Sequence, residues 1–172
     1  MEMELLNLVP VEAIEPQKFY DYINEWENEK LVPFALRLNG RDYNEWKQED
    51  IDRRSKENCP PGIVPSLTLF LVELDGNILG TVNIRRYLNE NLEKFGGHIG
   101  YGIRPSFRGR GYGKAQLGMT LKMCRAFGMT KVLITCDKSN IASAKIIQYN
   151  GGVLENEIEE ENKIIQRYWI EI

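Results

Sequence analysis

The chain has 172 residues, of which 42% are hydrophobic and 27% charged, a size and composition that fit one soluble globular domain and exclude a disordered or membrane-embedded class. Its net charge of -3 argues against a basic, whole-surface nucleic-acid binder. Three cysteines (Cys59, Cys124, Cys136) without CxxC spacing and a single histidine, His98, exclude a disulfide framework and the common structural metal sites, so no metal is expected.

Met1-Glu2-Met3-Glu4-Leu5 carries acid where a secretory signal carries Lys or Arg, and no long apolar run follows, so the expected location is cytoplasmic, with no membrane partner. Met3 to Val9 reads as a first strand. Glu15-Pro16 then opens a helix on which Phe19, Tyr22, Ile23 and Trp26 recur at helical spacing. A second helix is expected from Asp42, as N-cap, through Tyr43 and Trp46 to Ile51 and Arg54, with Asn58-Cys59-Pro60-Pro61-Gly62 as its terminator. An aromatic stripe of this kind is usually core.

From Leu67 the pattern turns to strand. Leu67 to Leu74 and Ile78 to Tyr87 flank Asp75-Gly76, a hairpin signal, and a further strand runs from His98 to Ile103. Then come Arg108-Gly109-Arg110-Gly111-Tyr112-Gly113-Lys114 and a helix with Leu117, Leu121 and Cys124 on one face, stopping at Gly128. Lys131 to Cys136 is a buried-type strand, Ser139 to Asn150 a helix closed by Gly151-Gly152, and Val153 to Glu159 with Ile164 to Ile170 a last hairpin. The order β-α-α-β-β-β-α-β-α-β-β predicts a mixed sheet with helices on both faces, without internal repeats or linkers.

Charge is unevenly placed. Between Lys94 and Cys136 there is no Asp or Glu, while Arg104, Arg108, Arg110, Lys114, Lys122, Arg125 and Lys131 fall inside that stretch, as a region built to meet an anion would require. Main-chain N–H groups at a helix start are unpaired and lie at the positive end of the dipole, and glycines at 109, 111 and 113 would let phosphate oxygens reach them. Arg108, Arg110 and Lys114 would add charge at the rim. A Walker loop is excluded because Arg108 and Ala115 stand where glycine and Ser or Thr are required. A G-x-G-x-x-G fingerprint is excluded by Lys114 and Gln116.

Arg108 to Gly113 matches [Q/R]-x-x-G-x-[G/A] and resembles the pyrophosphate loop of the GNAT superfamily of acyl-CoA-dependent N-acyltransferases. Tyr101-Gly102-Ile103-Arg104-Pro105 is similar to that family's strand end before the loop. Asn140-Ile141-Ala142-Ser143-Ala144 with Gly151 is similar to its N-x-x-[AS] helix. The resemblance runs from about Leu67 to the C-terminus. It implies an α/β (α+β) fold with a mixed, largely antiparallel central sheet, helices on both faces, and a splayed strand pair, aided by a bulge, that holds pantetheine. It further implies acetyl-CoA as donor, its pyrophosphate on Arg108, Gly109, Arg110, Gly111, Tyr112, Gly113 and Lys114, its pantetheine along Ile103, and contacts from Asn140 and Ser143. Residues 1–172 would form one such domain, and its partner would be a small-molecule or peptide amine, with a homodimer allowed and no nucleic acid.

The family's thiolate-protonating tyrosine, seven residues after the helix asparagine, is here Ile147. Tyr149 falls on the opposite helical face at about 100° per residue. Where some members place a carboxylate, this chain has Thr135. His98 is the titratable candidate for a general base, against a structural role and against water-mediated deprotonation with no dedicated base. A non-catalytic CoA-binding module is the alternative to an enzyme. The acid of the N-terminal third, including Glu25, Glu27, Glu29, Glu45, Glu49 and Asp50, would attract a cationic amine or simply solvate a helix face.

Overall fold

The computed structural model describes residues 5–172. The first strand, β1 (Asn7–Pro10), starts later than the alternation of Met3 to Val9 suggests, and Met3 and Glu4 lie outside the described residues. Helix α1 (Pro16–Asn24) opens on its proline, whose missing N–H costs nothing in a first turn. Asp42 caps α2 (Tyr43–Asp52) reciprocally: its carboxylate accepts the Glu45 N–H at 2.9 Å, and the Glu45 carboxylate accepts the Asp42 N–H at 3.0 Å. That helix ends at Asp52 and a short 3-10 turn intervenes at Lys56–Asn58, so the Pro60-Pro61 pair terminates a connection rather than the helix.

Strands β2 (Ser66–Val72) and β3 (Ile78–Arg85) form the expected hairpin, with Gly76 at φ +79° in its turn, a dihedral that glycine adopts without strain. A π-type turn at Leu92–Gly96 leads to β4 (Ile99–Ile103), followed by α3 (Tyr112–Ala126), β5 (Lys131–Asp137), α4 (Ile141–Tyr149), β6 (Val153–Glu160) and β7 (Lys163–Glu171). The strands form two antiparallel sheets, β1-β2-β3-β4 and β5-β7-β6.

Alternation along β2 divides the core. Leu69 faces one cluster with Val82, Ile84, Leu117, Cys124, Ile134 and Ile147, the side of α3 and α4. Phe70 and Val72 face another with Phe19, Tyr22, Trp26, Tyr43 and Trp46, the side of α1 and α2. The aromatic stripe is therefore core, with Phe19 stacked on Trp46 at a centroid distance of 4.5 Å. Helices thus cover both faces, as the element order requires. No helix among the described residues is long and apolar enough to cross a membrane.

Candidate active site

Gly109 and Gly111 take φ +74° and +86°, dihedrals that favour glycine, and a Cβ at Gly109 would meet nothing within 4 Å. Gly113 serves differently. A Cβ there would lie 2.5 Å from Ile146 Cδ1, so its lack of a side chain lets α3 close on α4. The Arg108 N–H donates to Pro105 O at 3.3 Å and the Ala115 N–H to Gly111 O at 3.2 Å. Between them, the N–H groups of Gly109 through Lys114 donate to no acceptor among the described residues, and no side chain caps α3. Six consecutive free donors thus lie at the positive end of a fifteen-residue helix, a main-chain nest whose chemistry suits an anion.

The loop's cations divide into two kinds. Arg108 does not stand at the rim: its Nε donates to Ile103 O at 3.1 Å, its Nη1 pairs with Glu29 at 2.7 Å, and its guanidinium covers the Trp26 ring at 4.9 Å. Its charge is spent on fastening the loop to β4 and to the segment after α1. Glu25 acts beside it, accepting from Arg104 Nε at 2.5 Å and from the Ser106 N–H at 2.6 Å. Arg110 and Lys114 lie over the rings of Phe107 (5.2 Å) and Tyr149 (4.3 Å), without a carboxylate partner among the described residues, and remain available to an anion. Part of the acid of the N-terminal third is likewise engaged internally, with Glu25, Glu29 and Glu49 each paired to arginine.

Next to the nest, β4 and β5 separate. They touch where the His98 N–H donates to Leu133 O at 2.7 Å and the Leu133 N–H to His98 Nδ1 at 2.8 Å, and beyond that point they share no ladder. The register of β4 with β3 is uninterrupted from Ile103 to Ile99, so no bulge in β4 makes the splay, contrary to the expectation from family resemblance. The register shifts lie between β2 and β3 and between β6 and β7. The vertex is instead set by Gly97, at φ +65°, where a Cβ would meet Leu133 O at 2.5 Å. Because Arg85 N–H donates to His98 O and Arg104 N–H to Leu79 O, the alternate residues Ile99, Tyr101 and Ile103 turn their main-chain groups away from β3, toward the gap. Ile103 O is taken by Arg108, which leaves the N–H groups of Tyr101 and Ile103 on this edge.

Across the gap, Asn140 caps α4, its Oδ1 accepting the Ser143 N–H at 3.1 Å, which leaves its Nδ2 free to donate. The Ser143 hydroxyl lies 2.8 Å from the Tyr101 hydroxyl, a link from β4 to α4 that the sequence pattern did not single out. Ile147 is fully buried in the core, and Tyr149, 67% exposed, points away from Asn140 toward Lys114. The Thr135 hydroxyl donates to Phe95 O at 2.7 Å and offers no base.

His98 is 8% exposed, and burial together with the nearby Arg85 guanidinium holds it down at about 4. Since Nδ1 accepts the Leu133 N–H, the ring proton sits on Nε2, so neither nitrogen of the neutral ring is free to take another. The geometry suits a fastener at the vertex of the splay better than a proton acceptor.

A family model described as the acetyltransferase (GNAT) domain matches residues 6–153. No curated protein matches the chain. Among solved structures, it resembles the ribosomal-protein-S5-alanine acetyltransferase of Vibrio fischeri, with 18% identity, a TM-score of 0.70, and coverage of 99% of this chain and 95% of that chain. A dodecameric spermidine N-acetyltransferase of Vibrio cholerae is similar at 13% identity and a TM-score of 0.66, over 98% of this chain and 94% of that chain. At these identities the structural likeness concerns the fold, and the family rests on the sequence model. The glycine loop, the separated strands and the matched sequence together place this chain in the GNAT acetyltransferase family.

Proposed function

We propose that residues 1–172 act as one domain that transfers an acetyl group from acetyl-CoA to a primary amine, by direct attack while both substrates are bound. One observation carries this reading: the unpartnered N–H groups of Gly109 to Lys114 continue directly into the unpaired edge of β4, a strip of main-chain donors long enough for a diphosphate and an extended amide-bearing arm. The diphosphate is assigned to Gly109–Lys114, with Arg110 and Lys114 at the rim. The arm lies along Tyr101–Ile103, and the Asn140 amide faces it, with Ser143 beside Tyr101.

The Tyr101 N–H is assigned to the thioester carbonyl, where a fixed donor stabilises the charge that develops on oxygen as the amine attacks. A C–N bond forms, the C–S bond breaks, the amine proton passes to water, and the departing thiolate takes its proton from solvent. Positioning supplies most of the acceleration, since a neutral amine held against a thioester needs no further activation. With no base assigned to His98, the rate should rise with pH along the ionisation of the acceptor amine itself, not with a group near neutrality.

The test is release of free CoA thiol from acetyl-CoA across a panel of amines, amino acids and peptides, with acetyl-CoA affinity measured in parallel. Amine-dependent thiol release supports the reading. Absence of acetyl-CoA binding overturns the cofactor assignment, and binding with no release for any acceptor overturns transfer.

A further inference from the structure

Arg85, the last residue of β3, stands opposite Ser66 on β2, and its N–H donates to His98 O. Its side chain crosses the α1/α2 face of β4: a Cβ built on Gly100 would lie 3.4 Å from Nη2 and 3.4 Å from Pro33 Cβ. Nη1 donates to Gly96 O at 3.3 Å and Gly97 O at 3.2 Å, so the guanidinium rests at the vertex where β4 leaves β5. Nε and Nη2 donate to nothing among the described residues.

This is an unusual place for a lone cation. Arg41, Arg54, Arg104 and Arg167 are also half-buried or buried, and each holds a carboxylate. Arg85 has none among the described residues, and burial lowers it to about 10, the mark of a guanidinium held in a poor solvent without a counter-ion. Fastening the Gly96-Gly97 turn needs only Nη1, which leaves the other donors in a fork that matches a carboxylate. Gly100, which puts no side chain beneath them, lets the guanidinium lie directly against β4.

Resting on the acetyltransferase reading above, we propose that Arg85 binds a carboxylate on the acceptor, so that the substrate is a small amine that also carries an acid group, an amino acid in chemical class. Its carboxylate would take the free donors of Arg85 at the vertex, and its amine would point along Gly100 toward the Tyr101 N–H. A polycation such as spermidine, on which one structural neighbour acts, would face uncompensated repulsion from the same guanidinium.

The experiment compares each amino acid with its own carboxamide, an uncharged partner of nearly equal size, as acceptor for the wild type, Arg85→Met and Arg85→Lys. The wild type should favour the acid by about 30-fold in kcat/KM, Arg85→Met should lose that preference while keeping its KM for acetyl-CoA, and Arg85→Lys should fall between. A structural role alone would lower acid and amide equally, which overturns the proposal, as does a wild type that prefers amides or polyamines. Calorimetric titration of amino acids onto the CoA-bound protein separates this claim from the reading beneath it. Binding that Arg85→Met abolishes, without turnover, sustains Arg85 and sinks transfer, whereas turnover with equal binding to both proteins sinks Arg85 alone. Should Arg85→Met fail to fold, Gly100→Ala serves: its added methyl, 3.4 Å from Nη2, should weaken acid acceptors more than amides.

Discussion

On the α3 and α4 side of the splay, the groups offered to a ligand are main-chain N–H donors, those of Gly109 through Lys114 and the edge of β4. On the α1 and α2 side they are side chains: Arg85, and behind it a polar row in which Thr68 Oγ1 donates to Asp50 at 2.5 Å and Asn83 Nδ2 donates to Thr68 Oγ1 at 3.2 Å. Main-chain donors recognise what every CoA ester has in common and need only glycines and a helix start. Side chains discriminate, but each must be held against its desolvation cost by neighbours, and Asp50 shows that cost: buried, with Oδ2 unpartnered and Arg54 no closer than 3.9 Å, it is pushed up to about 6.

The largest test of this contrast is Gly111→Asn. Asparagine tolerates the left-handed dihedral that Gly111 holds, φ +86°, so the fold should survive while the side chain enters the path of the anion. Affinity for CoA should drop about 100-fold through loss of charge-assisted hydrogen bonds, measured by titration calorimetry with circular dichroism as the folding control. An unchanged affinity in a folded variant removes the main-chain half of the comparison.

A second test concerns what the side-chain face costs. The Asp50 carboxyl binds its proton more tightly folded (about 6) than unfolded (3.8), so its contribution to stability falls as pH rises from about 4 to 6. His98 is the opposite case: folded at about 4 against 6.5, it binds fewer protons than the unfolded chain in that window, and its contribution rises with pH and is lost as pH falls. The two slopes oppose, and the wild type should be nearly flat between pH 4.5 and 6.5. Asp50→Asn removes one of them, so its urea midpoint should climb across this window, a gain on the order of 2–3 kcal/mol. A variant profile as flat as the wild type would show that the strain lies elsewhere.

The smallest effects divide the loop's own cations. Arg110→Ala and Lys114→Ala should each weaken CoA about three- to tenfold, and less at high salt. Glu29→Gln, which breaks only a half-exposed pair with Arg108, should change stability by about 0.5 kcal/mol or less and leave CoA affinity within about twofold. Equal losses in all three would return Arg108 to the rim.

Local signals carried much of this. Proline at 16, the Asp42 cap, Asp75-Gly76 and the spacing of Gly109, Gly111 and Gly113 each act within a few residues, and the elements they predict are present within a few residues of the expected bounds. The nest was legible for the same reason: backbone donors at a helix start need no distant partner. Where a distant partner decides, the sequence was silent. It could not show that Arg108 turns inward to Glu29, that His98 is locked to Leu133, or that the π-type turn at Leu92–Gly96 delivers Gly96 and Gly97 to Arg85. The sequence alone determined the order of elements and the place of the unpaired main-chain donors before α3, because dihedral preference and helix starts are local. Only the tertiary structure decided which charges are neutralised and which, like Arg85, are left facing the splay, because a charge finds or lacks its partner only when remote segments pack together.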